Sequence, residues 1–175
     1  MIKFFKKLRS RKQVAAFFEA AENRNISVIK DLLESGFDVN LKHRDFNWPV
    51  ILSVVEYPEI LEYVILLGAD INAQETNKWY SPLILATRKE IKQSVIVLLR
   101  HHADTHLTSM AGLPAIFYAL ELGSDEIVDM LLDQEDDDAF LKEVVALCKE
   151  KGVDISNYQS SIDNRMNDIL HNRPS

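Results

Sequence analysis

The chain has 175 residues, 47% hydrophobic and 27% charged, with five Gly, five Pro and one Cys, which suits one domain with a sizeable core and excludes collagen-like, low-complexity and disulfide-stapled chains. Its net charge of −7 is uneven: residues 1–12 hold six bases and no acid, leaving 14 bases against 27 acids beyond them. A body that acidic is a poor binder of nucleic acid and is steered toward basic partners.

The basic segment 1–13 opens MIKFFKKLRSRK and lacks the apolar run and cleavage site of a secretion signal. It reads as an amphipathic turn or helix with Ile2, Phe5 and Leu8 on one face and Phe4 beside them. Two uses compete for it. The favoured one covers the open end of the structure that follows; the other is contact with an anionic membrane surface through residues 1–12. No apolar run is long enough to predict a membrane-spanning helix, and a lone cysteine fits a reducing, cytoplasmic setting.

Paired helices are predicted at about 14–22 with 26–35, 49–55 with 58–67, 82–89 with 92–101, and 115–122 with 125–133. Extended fingers at 38–47, 70–80 and 104–113 join them, and Leu66 and Leu98 are expected as interior residues of the second helices. A phrase recurs as LLESGFDVN, VILLGADIN, LLRHHADTH and a degraded LLDQEDDDA, placing Asp38, Asp70, Asp104 and Asp137 at steps of 32, 34 and 33. A second marker, in WPVILS, SPLILA and LPAIFYA, spaces Pro49, Pro82 and Pro114 by 33 and 32. Two independent markers holding one period define a repeat, with copies at about 14–40, 41–72, 73–106 and 107–138. Ser81 before Pro82 is a good N-cap, and Gly36 and Gly68 stand where a left-handed residue ends a helix. His102 fills that slot in the third phrase, and the second copy has lost a residue near Tyr57 and Pro58.

Beyond 137 the period fails. Phe140, Leu141, Val144, Val145 and Cys148 share one helical face, and Tyr158, Ile162, Met166, Ile169 and Leu170 fall at helical spacing. Residues 139–175 therefore read as capping helices and tail; the competing reading makes EVVALCKEKGVDIS a truncated fifth copy ending at Asp154.

These phrases resemble the ankyrin repeat over about residues 14–137, most specifically in SPLILA and VILLGADINA. The resemblance implies an all-α solenoid of about four helix-turn-helix repeats with a C-terminal helical cap. It also implies that fingers and first helices line a concave, protein-binding surface. The family's histidine is missing from each copy, with Ile51 and Ile84 in its place.

No catalytic, cofactor or metal site is predicted. His101, His102 and His106 lie close in sequence but lack a Cys or carboxylate at ligand spacing. The run from Asp133 to Asp138 has Asp138 and Val144 where a calcium loop needs Gly and Glu. Cys148 reads as core. The aromatic residues are better candidates, because Trp and Tyr are favoured interface anchors. Phe46 and Trp48 are expected at the tip and base of one finger, with Trp79 and Tyr80 at the same places in the next. Arg44, Asp45, Asn47, Glu75, Asn77 and Lys78 form the expected polar rim, and Glu56, Arg88, Lys89 and Glu121 are expected to face the groove from the first helices. The expected function is non-catalytic binding of another protein, as a dedicated inhibitor such as the immunity protein (antitoxin) of a toxin pair, occluding a cationic partner on an acidic concave face. A scaffold or adaptor tethered to a membrane surface by the basic segment is the alternative.

Overall fold

The computed structural model describes residues 2–172, with side chains from 12 to 171. Among these residues it is all-helical, a solenoid of paired helices with no strand. The pairs are α1 (Ile2–Glu22) with α2 (Ile26–Glu34), α3 (Val50–Ser53) with α4 (Pro58–Leu66), and α5 (Pro82–Arg88) with α6 (Lys92–Arg100). They continue as α7 (Ala115–Leu122) with α8 (Asp125–Gln134) and α9 (Asp138–Lys151) with α10 (Gln159–Asn172). The first helices α1, α3, α5, α7 and α9 pack in one row. In the second row α4, α6, α8 and α10 pack in turn, so each pair buries its apolar face against its neighbours.

Local chemistry sets the helix ends. Asn25, Ser81 and Asp137 accept the backbone N–H groups of Val28, Ile84, and Ala139 with Phe140. A left-handed residue turns α1, α5 and α7 into their partners, at Arg24, Glu90 and Gly123, with φ of 56°, 54° and 70°; the α3–α4 turn has none. Gly36, Gly68 and His102 do the same before the fingers, His102 at φ 60° as its alignment with the glycines predicts. One core runs the length of the stack, through Phe17, Ile29, Ile51, Leu61, Ile84, Leu98, Phe117, Ile127, Leu141 and Ile162.

Several expectations change. The basic segment is continuous with the first helix, in one α1; the expected roles of Phe4, Phe5 and Leu8 lie outside the described side chains. The shortening of the second copy falls on its first helix: α3 has four residues against seven in α5 and eight in α7. Pro49 is an N-cap, in the slot of Ser81, whereas Pro82 sits one position later as the first helical residue; Pro114 is an N-cap too, as counting back from Gly123 predicts. Cys148 is core as expected, buried in α9. Helix α9 packs on α7, in the first-helix row, although its end repeats the phrase of a second helix. Gly152 at φ 72° and the Asp154 turn, with its Ser156 N–H bond at 2.9 Å, account for that local likeness.

Candidate functional site

The fingers are built alike. His43 N–H donates to Trp48 O at 2.8 Å, Glu75 N–H to Tyr80 O at 3.3 Å, and Ser109 N–H to Leu113 O at 3.0 Å, closing three tips. The same three residues then organise the turns with their side chains. His43 Nδ1 accepts from Asp45 and Phe46 at 3.3 and 3.4 Å. The Glu75 carboxylate accepts from Asn77 and Lys78 at 2.6 Å each and from Tyr80 at 3.3 Å. Ser109 Oγ accepts from Leu113 at 3.4 Å and from the Tyr118 hydroxyl at 3.0 Å.

This bonding corrects the finger register. Trp48 and Tyr80 share the base position, but Trp79 aligns with Asn47 and Gly112, all left-handed at φ of 56°, 49° and 74°. The strained Trp79 backbone is held by Gln74 Nε2, which donates to Trp79 O at 2.6 Å and to Thr108 O in the next finger at 2.9 Å. Met110 N–H donates to Lys78 O at 2.8 Å, tying the third tip to the second. The three tips expose Phe46, Trp79 and Met110 at 72%, 51% and 65%.

A groove runs between fingers and first helices. Its two depressions share Phe46, Trp48 and Leu85; one extends to Phe18, Arg24, His43, Glu56, Tyr57 and Lys89, the other to Glu75, Asn77, Lys78 and Tyr80. Arg88 lies over the Tyr80 ring, 4.5 Å from its centroid, and 5.1 Å from that of Tyr118, and the two rings meet edge to face at 6.3 Å. Burial pushes the Tyr118 phenol above its ordinary pKa.

Of the expected site residues, Phe46, Trp48, Glu56, Asn77, Lys78, Tyr80 and Lys89 line the groove, while Arg44, Asp45, Asn47 and Trp79 are exposed on the tips. Glu121 stands apart, beside Gly152 and Tyr158 at the far end of the stack. Glu75 is corrected: at 2% exposure its carboxylate is committed to finger amides and is no rim charge. Sequence reasoning missed His43, Phe18, Arg24 and Leu85. His43 could have been found from its place five residues after Asp38, where Glu75 follows Asp70.

The expected acidic face is corrected too. Glu56 is paired with Lys89 and lies 3.8 Å from Arg24, and its hydrogen bond to Lys89 holds the carboxyl below the ordinary range. Arg44, Lys78 and Arg88 have no carboxylate within 4 Å among the described residues. The acid is concentrated instead in 121–138, a stretch without a single base. The histidines diverge: His101 lies 3.4 Å from Glu62, His106 lies 2.9 Å from Glu135, and His102 is exposed in its turn.

A family model described as ankyrin repeats (3 copies) matches residues 50–143, more than half of the chain.

Proposed function

The chain belongs to the ankyrin repeat family of non-catalytic protein–protein interaction modules, and from that premise we propose that it is a dedicated inhibitor, such as the immunity protein of a toxin pair, that occludes one protein partner in this groove. The observation that carries the reading is the aromatic wall of exposed Phe46 and half-buried Trp48 and Tyr80 over Leu85. Aromatic anchors set beside a desolvated floor are what binding hot spots require. The shortened α3 and the unlike tips give the groove one shape instead of a repeating one, which suits a single partner. Long-range attraction is for a basic protein, through exposed Glu121, Glu126, Asp129, Asp133 and Asp136 at one end of the stack. The free thiol of Cys148 suits work in the cytoplasm. Native pull-down with mass spectrometry, followed by an assay of the captured protein's activity, tests the reading. Stoichiometric inhibition that Phe46→Ala weakens supports it; capture without inhibition leaves a scaffold or adaptor.

A further inference from the structure

Beside the groove, over the ring of its lining residue Tyr80, stands a cation prepared for an acceptor that the fold does not supply. Arg88 is exposed at the end of α5, with its guanidinium over the rings of Tyr80 and Tyr118, and none of its side-chain N–H groups meets a protein acceptor among the described residues. We propose that the partner segment seated in the groove carries an Asp or Glu side chain whose carboxylate is taken by Arg88, with an adjacent large apolar side chain against Phe46, Trp48 and Tyr80; this rests on the groove being the binding face.

Three features support that chemistry. Contact with two rings set nearly at right angles holds the guanidinium in place while its N–H groups stay without a protein acceptor, and a planar carboxylate meets such a fork with two parallel hydrogen bonds. The chain's own nearby acids are otherwise engaged or too far away: Glu56 is held by Lys89 and Arg24, Glu75 is locked by finger amides, and Glu121 forms no ion pair with Arg88. Lys78, 6.0 Å from the centroid of the same Tyr80 ring, adds a second unpaired cation on the finger side. A nucleic acid would bring many phosphates toward an acidic body and be repelled, whereas one carboxylate on a basic protein is not. The partner is thus basic at long range and acidic at one point of contact.

The test is selection from a random linear-peptide display library on the full chain, with peptides fused through their C-termini so that only side-chain carboxylates are offered. Enriched peptides should carry Asp or Glu beside a large apolar residue. Arg88→Gln, checked by thermal melting to be folded, should weaken them about 10- to 100-fold. Changing the peptide acid to its amide should cause a similar loss on the parent and little further loss on Arg88→Gln. Equal losses on both backgrounds, enriched peptides without an acid, or no enrichment overturns the inference. If Phe46→Ala binds acidic peptides as well as the parent does, the groove reading itself fails; if it loses peptides that carry no acid, only the carboxylate is wrong.

Discussion

Asn40 joins two repeats with both ends of one side chain: its Oδ1 accepts the Asp70 N–H at 2.8 Å and its Nδ2 donates to Gly68 O at 2.9 Å. Asn72 repeats the first bond at Asp104, at 3.0 Å. In the third finger His106 has the same place, but the next step leads into α9 instead of a finger. There the longer ring spans the gap, meeting Glu135 at 2.9 Å and stacking on Phe140 at 4.0 Å. Each step of the stack is thus fastened by the residue two places after its aspartate.

Asn40→Ala removes the partner of one N–H and one C=O at a repeat step. A loss of about 1–2 kcal/mol in urea unfolding is expected, since part of each group can turn to water. A loss too small to measure would show that packing alone sets the step.

Glu75→Ala should do more damage than its place on a finger suggests. Three backbone N–H groups lose a charged acceptor that is 2% exposed, so about 2–3 kcal/mol should go. Glu75→Lys, which a rim charge would tolerate, should lower the melting temperature further. Wild-type melting of Glu75→Lys would return Glu75 to the rim.

Leu98→Ala should cost about 2–5 kcal/mol, because Leu98 is fully buried in α6. Leu66→Ala should cost far less, since Leu66 is 69% exposed. This reverses the expectation that both leucines are interior. The residue in the Leu98 slot of α4 is Val64, and Leu66 takes the solvent position that holds Glu34 in α2 and Arg100 in α6. Matched chemical-denaturation curves on the two variants check the helix phase.

That error shows what was legible. The period, the helix pairs and the turn residues could be read because Asp, Gly and Pro report backbone needs that are local. Helix phase in α4 could not be read from its leucines: Val64 to Leu67 are all apolar, so only the step from Gly68 fixes which side is buried. The groove aromatics were found by composition, but the role of Glu75 depends on three amides converging in a turn. Nor does the sequence show that Arg88 sits between rings from two successive repeats, a contact made only by stacking.

Tyr158 ties α10 to α8 and gives the far end an alkaline limit. Its hydroxyl donates to Asp125 at 2.5 Å, and that bond, with burial second, pushes the phenol up from 10.0 to about 12. The folded state therefore favours the neutral phenol. Its contribution is complete below pH 10 and is lost as pH rises toward 12. Tyr158→Phe should lower the melting temperature at neutral pH and flatten its fall over that alkaline window. Parallel curves for parent and variant would remove the bond from the account.

The partner recovered by pull-down should be held by rings and steered by charge. Affinity in the groove should come from aromatic contact, and encounter from charge at the acidic end, so the two should separate in kinetics. Phe46→Ala removes a ring that is 72% exposed and carries little of the fold, so its effect should be on binding alone. Tyr80→Ala also removes one of the two rings that Arg88 lies over. Each should cost about 2 kcal/mol or more, mainly through faster dissociation. Glu126→Lys and Asp129→Lys lie on exposed turns of α8, remote from the rings, and should mainly slow association. Added salt should mimic those two charge changes and leave dissociation nearly unchanged, because exposed charges are screened beyond about 8 Å at physiological ionic strength. Circular dichroism on each variant separates unfolding from lost contact. If both ring variants bind like the parent while Leu66→Asp abolishes binding, the partner sits on the second-helix side, where Leu66 and Leu67 are exposed, and the groove is not the site.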